Sequence, residues 1–433
     1  MAPVTALPAE LIHNILQADY LGADGEPDRR LLRASSLICN AWSSHAQHLL
    51  FSNVVLRSEH DFHSFRIALS SQPSLATAVR SLRVVIDHNQ PCGLRLHHLA
   101  AVTVLCTRLN DINLALFGDD GFCSSAESYN ENGTGARPDI STSTARHAGR
   151  VSLALAEALA KSPIRSFHLS NWSSNSLFLH DILQFLPSLK SLSITGTPPS
   201  VPNTLSVYPC NLSLNHLRVN FQASPSVDFL LWLLDNSKGT LTTLDLERVS
   251  DLDASIGLLD YFATTQGPAL QSLILPSCAN PTELKHFQRC TNLRVVAFRT
   301  PNVSSALFKH FLATADSTPL EEMYICVDRN TSLSPLIEFV RQKESLMSLT
   351  VCLWETHVRK SLRLWGSLRM ACAVRGVELK VVESLSEYKT LIVSFISSFA
   401  LEVSIIYLYF DRNLTSEPEI LRLPASIAFH LSR

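Results

Sequence analysis

Apolar residues follow one short pattern through most of the chain. Written L-x-x-L-x-L with apolar substitutions, the pattern predicts a short strand. Its first positions are Val79, Leu109, Ile164, Leu189, Leu214, Leu241, Leu270, Leu293, Leu320, Leu346 and Val374. The intervals lie between 23 and 30 residues, except one of 55, which equals one repeat plus an insertion of similar size. The chain is therefore built largely from one repeated unit.

Segments with a helical spacing of apolar residues lie between the predicted strands. They include residues 178–186, 227–235, 256–262, 306–312 and 335–340. One strand–loop–helix unit cannot bury its apolar face alone, so neighbouring units must stack. A period in the twenties with this strand signature is typical of leucine-rich repeats, although the Asn usual at the ninth position is nearly absent. We therefore expect an irregular α/β solenoid over residues 57–384, with parallel strands on the concave face and helices on the convex face.

Two segments depart from the repeat. Residues 118–150 are rich in Gly, Ser, Thr and Asp, which predicts a flexible surface insertion. Residues 385–433 form an apolar C-terminal tail, and the run 390–410 is nearly long enough to span a bilayer. Three interpretations of that run stand open: a buried element that closes the solenoid, a poorly packed terminus, or a membrane anchor. Glu402 and several serines count against the anchor.

The first 56 residues have a different pattern. Apolar residues fall at helical spacing in residues 7–16 and again in residues 31–50, with a polar loop between the two segments. Pro8 and Glu10 suit the first turn of a helix. Residues 51–56 are expected to leave the second segment as a short extended exit. We therefore predict a small helical module that precedes the repeats.

The order of residue types in this module resembles the F-box motif, and the whole chain resembles fungal-type F-box proteins with irregular leucine-rich repeats. The matching residues are Leu7, Pro8, Glu10, Leu11, Ile12, Ile15, Leu16, Leu31, Leu32, Ser35, Leu37, Ile38, Cys39, Trp42 and Phe51. Two features depart from the family's pattern: the loop of residues 17–30 is longer than usual, and Ile38 stands where Val is commoner. An ordinary helical hairpin is the alternative interpretation.

The resemblance implies a non-enzymatic role. F-box proteins bind a Skp-type adaptor, which connects them to a cullin and a RING subunit, and their repeats present a protein target for ubiquitylation. The residues assigned to adaptor binding are Leu7, Pro8, Leu11, Ile12, Ile15, Leu31, Leu37, Ile38, Cys39 and Trp42. A repeat scaffold with no ligase role is the alternative function. A membrane-anchored receptor that uses residues 390–410 is a third.

Strand geometry predicts where the target protein binds. Side chains alternate along a strand, so positions three, five and seven of the pattern point to the concave side. The candidate target-binding residues are His216, Arg218, Asp245, Glu247, Arg299, Glu322 and Tyr324. This mixture suits a polar protein segment better than a lipid or a nucleic acid; a merely solvated face is the alternative. We expect joint replacement of Arg218, Asp245 and Tyr324 to leave folding intact and to abolish target capture.

Composition and motifs narrow the range of functions that the sequence allows. The net charge of −2 and the pI near 6.8 argue against a nucleic-acid-binding protein. The sequence has no nucleotide-binding glycine loop, no nucleophile elbow and no H-E-x-x-H motif, and none of its ten cysteines forms a C-x-x-C pair. We therefore expect no catalytic residue, cofactor or metal. Reduced cysteines, and an N-terminus without a secretory pattern, favour a cytoplasmic or nuclear protein.

Overall fold

The computed structural model describes most of the helical module and of the repeats. The described residues are 7–18, 28–118, 152–199, 210–221, 227–248, 261–275, 288–299, 309, 311–313, 315, 318–328, 331–354 and 364–392, without the side chains of residues 227, 247 and 248. They fall into two compact units, one within Met1–Val207 and one within Tyr208–Leu421. Most of the insertion 118–150 and all of residues 393–433 lie outside the described residues.

Three helices form the start of the first unit: α1 (Ala9–Ala18), α2 (Arg29–Ser36) and α3 (Asn40–Ser52). The Asp28 carboxylate caps α2 by accepting hydrogen bonds from the backbone N–H groups of Arg30 and Leu31. The run 31–50, which the apolar spacing presented as one helical segment, is broken at residues 37–39. There the Leu37 amide bonds back to Ala34, and Cys39 adopts an extended backbone, so α3 begins in a new direction.

Five parallel strands continue the first unit. They are β1 (Asn53–Leu56), β2 (Ser81–Asp87), β3 (Asp111–Phe117), β4 (Ser166–Trp172) and β5 (Ser191–Gly196), paired in that order. Helices α4 (Glu59–Ser71), α5 (Leu96–Leu105), α6 (Leu153–Lys161) and α7 (Phe178–Leu183) connect them. The extended exit begins at Asn53 rather than at residue 51, and it pairs with β2. The predicted boundary at residue 56 therefore lies between two hydrogen-bonded strands.

The second unit repeats the arrangement with seven parallel strands. They are β6 (His216–Phe221), β7 (Thr243–Arg248), β8 (Ser272–Leu275), β9 (Val295–Phe298), β10 (Glu322–Val327), β11 (Ser348–Leu353) and β12 (Glu378–Val382). Its helices are α8 (Val227–Leu234), α9 (Ser334–Gln342) and α10 (Trp365–Arg375), with further helical residues at 261–265 and 385–392. The predicted α/β architecture with parallel strands is confirmed.

The apolar pattern marks the buried side of each strand. In the repeat that begins at Leu189, the first, fourth and sixth positions (Leu189, Leu192 and Ile194) are all buried. The same three positions are buried in every other repeat from Val79 to Leu346. We call the opposite side of the strands, which carries positions three, five and seven, the open face. Burial of positions one, four and six supplies the main stabilisation of the fold, at about 25 cal/mol per Å² of apolar surface removed from water.

The sequence predicts that the last repeat begins at Val374, and this starting position is wrong. Val374 lies in the last turn of α10 and is 76% exposed. The helix ends at Gly376, whose φ of 70° is a left-handed conformation that glycine adopts without strain. Strand β12 then begins at Glu378, which pairs with Ser348.

Candidate functional site

The helical module has its own small core. Ile12, Leu16, Leu32, Ala46 and Leu49 are buried together, with Trp42 and Leu50 packed against them. Ile12 has no exposed surface. This residue was expected to contact the adaptor; it holds the three helices together instead, because its side chain points inward from α1.

Large apolar side chains remain exposed on the outside of the module. Leu11 and Ile15 lie one turn apart on one face of α1, and Leu7 lies just before the helix; Leu11 is 48% exposed. Leu37 and Ile38 lie in the turn between α2 and α3, and Leu37 is 80% exposed. We call these five residues the apolar stripe. Of the other residues assigned to adaptor binding, Pro8 is exposed, whereas Leu31, Cys39 and Trp42 are partly buried.

The candidate target-binding residues fall in three rows of the open face in the second unit, at positions three, five and seven of the pattern. Arg218, Asp245, Ile274, Ala297 and Tyr324 are consecutive register partners across β6 to β10. His216 and Glu322 lie in the neighbouring row. The backbone of Glu247 belongs to β7, but its side chain lies outside the described residues. Strand alternation therefore places these residues on one side of the sheet, and target binding at that side stays a prediction.

Two of these residues are not available at a surface. Asp245 has no exposed surface and Arg299 is 2% exposed. The Arg299 guanidinium contacts both carboxylate oxygens, with Nη2 at 2.6 Å from Oδ2 and Nε at 3.3 Å from Oδ1. Arg218 approaches the same carboxylate, with its Nε at 3.4 Å from Oδ2. Because a buried charge must be paired, this network is part of the fold, and the expectation that replacing Asp245 spares folding is not supported.

Glu322 and Tyr324 form a second, partly buried pair. The Tyr324 hydroxyl donates to Glu322 Oε2 at 3.0 Å. Burial raises the pKa of the Glu322 carboxyl, while the tyrosine hydrogen bond lowers it. Burial also raises the pKa of Tyr324.

The chain itself covers another part of this open face. Tyr388 and Ile392, from the helical residues 385–392, are fully buried against a cluster of side chains on strands β8 to β12. The cluster consists of Ile274, Ala297, Cys326, Cys352 and Val382. The Tyr388 hydroxyl donates to the backbone carbonyl of Phe298 at 2.8 Å. We call these five residues together with the Phe298 carbonyl the tyrosine seat.

Sequence reasoning did not find the tyrosine seat, because it ended the repeats at residue 384. A signal was present: Leu385, Tyr388 and Ile392 have the spacing of one helix face. Within the apolar run 390–410, only residues 390–392 are described; they are helical and Ile392 is buried. The three interpretations of residues 393–410 concern a segment outside the described part of the chain.

The open face of the first unit is polar. Ser81 Oγ donates to Asp111 Oδ2 at 2.8 Å, and Ser166 Oγ lies 3.0 Å from His168 Nε2. The same His168 nitrogen lies 3.6 Å from Asp111 Oδ1. A catalytic triad needs the serine at one imidazole nitrogen and the carboxylate at the other, and here both approach Nε2. These residues form a hydrogen-bonding surface, and they were not singled out from the sequence.

The described residues contain no group of three or more His, Cys, Asp or Glu side chains that is arranged to hold a metal ion. None of their helices has the length and apolar character needed to cross a membrane.

No family model matches the chain, and no curated protein matches its sequence. Among solved structures, the crystal structure of a TLR13–ssRNA13 complex is similar, with 13% identity and a TM-score of 0.30. The match covers 67% of this chain and 35% of that chain, so this protein corresponds to about a third of that neighbour's length.

Proposed function

We propose that this protein is the substrate-recognition subunit of a Skp–cullin–F-box type ubiquitin ligase. The apolar stripe is the observation that carries the proposal. A module that already buries Ile12, Leu16 and Leu32 in its own core still leaves Leu7, Leu11 and Ile15 in water. These exposed residues coincide with positions that the F-box resemblance assigns to the adaptor.

Burial of the stripe supplies the energy for adaptor binding. Fully burying a leucine or isoleucine side chain contributes about 1.5–3 kcal/mol, and the five stripe residues are between 38% and 80% exposed before binding. Large exposed apolar patches on a soluble domain mark interaction surfaces. The catalytic chemistry of such a complex belongs to other subunits, and this chain raises the local concentration of target lysines near them.

The test of the proposal is adaptor capture by a stripe variant. The double change Leu11→Asp and Ile15→Asp places two charges in the stripe without touching the module core. We expect binding of a Skp-type adaptor to fall by about 100-fold or more, because both carboxylates would be desolvated at the interface. Isothermal titration with purified adaptor measures this loss.

A matched control is Gln17→Asp, an exposed position on the same helix outside the stripe. It should bind the adaptor as the unchanged protein does, and circular dichroism should show both proteins folded. Full adaptor affinity in the double variant, or no binding by the unchanged protein, would refute the ligase assignment.

A repeat scaffold with no ligase role is the second candidate. The parallel repeats favour it as much as the first, because a sheet with a polar open face can hold a partner without delivering it to a ligase. The two functions separate in one experiment. Co-purification of a cullin with the tagged protein supports the ligase, whereas a partner captured without any cullin supports the scaffold.

A further inference from the structure

Basic side chains line the edge of the first unit's sheet where its strands begin. Position two of the pattern, immediately before strands β2 to β5, is Arg80, Asn110, Arg165 and Lys190. Their backbones are joined in that order, because each amide donates to the carbonyl of the residue before it in the row, at 2.8–2.9 Å. Arg83 is exposed on the open face of β2. We call Arg80, Arg83, Arg165 and Lys190 the basic rim.

The excess of positive charge belongs to the first unit. At positions two, three and five of β2 to β5, with histidine counted as neutral, the four rim residues are basic and Asp111 is acidic. The same positions of β6 to β10 carry two basic and three acidic residues: Arg218, Arg294, Asp245, Glu321 and Glu322. Arg294 pairs there with Glu321 at 3.7 Å. A positive excess at these positions is therefore not a requirement of the repeat itself.

The carboxylate among these positions is engaged within the open face. Asp111 Oδ2 accepts a hydrogen bond from Ser81 at 2.8 Å, and Asp111 Oδ1 lies 3.6 Å from His168 Nε2. The side chains of Arg83, Arg165 and Lys190 are exposed. Exposed charges attract a group of opposite sign over about 10 Å at 0.1 M salt. The basic rim therefore presents a net positive charge to the solvent.

The spacing of the rim fits an extended polypeptide. Neighbouring strands lie about 4.8 Å apart, so the backbones of Arg80 and Lys190, three strands apart, are separated by about 14 Å. This distance equals about four residues of extended chain, whereas a small anion spans only part of it. A single-stranded nucleic acid fits less well, because its bases stack on aromatic side chains. Positions two, three and five of β2 to β5 hold no Phe, Tyr or Trp.

We infer that the basic rim binds an acidic segment of a partner protein, in which Asp or Glu side chains recur along an extended chain. The arginine guanidinium groups hold carboxylates by paired hydrogen bonds, and the Lys190 ammonium acts as a point charge. The inference rests on the proposed function only in naming the target as the owner of this segment. It moves the site of target binding from the second unit to the first.

The experiment uses the full chain and a fluorescent synthetic octaglutamate peptide. We expect the peptide to bind the unchanged protein at about 50 mM salt and to bind more weakly at about 300 mM, because salt screens exposed charges. The triple change Arg83→Gln, Arg165→Gln and Lys190→Gln should lower the affinity about tenfold, since exposed ion pairs are individually weak and three are removed. Fluorescence anisotropy measures each affinity.

A matched control removes the same charge from the second unit. Lys238→Gln, Lys380→Gln and Lys389→Gln change exposed positions, and this triple variant should bind octaglutamate as the unchanged protein does. Octaglutamine should bind none of the three proteins. Circular dichroism should show both variants folded, because every changed side chain is exposed. If the rim variant does not fold, Arg165→Gln with Lys190→Gln is measured in its place.

Equal losses in the rim variant and the control would overturn the inference, because net charge rather than the rim would then govern binding. An unchanged protein that does not bind octaglutamate at low salt would overturn it too. So would a thymidine oligonucleotide of equal charge that binds about tenfold more tightly, since the rim would then be a nucleic-acid site. Adaptor capture is measured in parallel. Failed peptide binding with normal adaptor capture rejects the rim alone, whereas rim-dependent peptide binding without adaptor capture rejects only the proposed function.

Discussion

At the scale of single residues, the ion pair between Asp245 and Arg299 shows how environment alters a role that position alone suggests. Strand alternation places both residues on the open face, as the sequence predicts. It does not reveal that each is buried and committed to the other. Two arginines surround the one Asp245 carboxylate, because Arg218 lies close to it as well as Arg299.

This pair makes a prediction about stability. Arg299→Met leaves the Asp245 carboxylate buried with only the partly exposed Arg218 nearby, so we expect the free energy of unfolding to fall by about 3–5 kcal/mol. The double change Asp245→Leu and Arg299→Met removes both charges and should recover much of that loss. Urea unfolding measures each variant. A single variant as stable as the unchanged protein would show that the pair is not structural.

His98 makes a prediction about pH. Its Nδ1 accepts a hydrogen bond from the Arg95 amide at 3.0 Å, which requires an unprotonated nitrogen, and its ring lies against Phe62. Burial lowers the pKa of His98, and the neighbouring His97 lowers it further. Because the folded-state pKa lies below the ordinary value of 6.5, the unfolded chain binds the proton more readily. The stabilisation is therefore complete above that value and is lost as the pH falls below it.

The measurement is urea unfolding of the chain between about pH 7.5 and pH 5. We expect stability to decrease over this range in the unchanged protein and to decrease less in His98→Gln, whose side chain can accept the same bond without titrating. His60→Gln, at an exposed position on α4, should keep the full pH dependence. A His98→Gln profile parallel to that of the unchanged protein would contradict the assignment.

At the scale of elements, the sequence predicts the strands best, because their apolar pattern marks the positions that are buried in the core. The first, fourth and sixth positions of the pattern are buried from the repeat at Val79 to the repeat at Leu346 because one face of every strand meets a core. The same pattern fails at Val374, since residues three apart also share a helix face. Nothing in the apolar spacing shows that the backbone turns only at Gly376.

Two other elements could not be predicted for different reasons. The break between α2 and α3 depends on local backbone hydrogen bonds at Leu37 and Ile38, which the apolar spacing of residues 31–50 does not encode. The position of Tyr388 depends on a contact with Phe298, 90 residues earlier in the chain. Helical spacing marks Leu385, Tyr388 and Ile392 as one face, but no local pattern in a single sequence identifies Phe298 as the partner of Tyr388. In the apolar stripe, local helical spacing places Leu11 and Ile15 on one face of α1, whereas Leu37 and Ile38 lie in the turn after α2, outside any helical pattern.

The pairing of β1 with β2 makes a prediction about fragments. A fragment that begins at residue 57 lacks β1 and exposes the hydrogen-bonding edge of β2, which is a template for association with other chains. A fragment that begins at residue 53 keeps β1 and differs by four residues only. We expect the shorter fragment to aggregate more and to unfold at lower urea concentration. Light scattering and urea unfolding compare the two, and equal behaviour would show that β1 does not protect the edge.

At the scale of the whole molecule, each of the two units is a succession of repeats whose strands pair with their sequence neighbours within that unit. Stability in such a protein is close to a sum of terms within repeats and between adjacent repeats, so a change in one repeat is felt mainly nearby. The tyrosine seat is an exception within the second unit, because residues 385–392 contact strands from β8 to β12 at once. A single short segment thus ties together five repeats that otherwise interact in sequence order.

The contact between residues 385–392 and the sheet also has a consequence for protein synthesis. The ribosome makes Ile274, Ala297, Cys326 and Cys352 before it makes Tyr388, and domains fold as their residues emerge. At 5–20 residues per second, the 40 residues from Cys352 to Ile392 require about 2–8 s. For that interval the nascent sheet carries an uncovered apolar strip, which chaperones recognise. We therefore expect the nascent chain to be more prone to aggregation during this interval than after Tyr388 is in place, and a slow codon between residues 352 and 388 would lengthen the exposure.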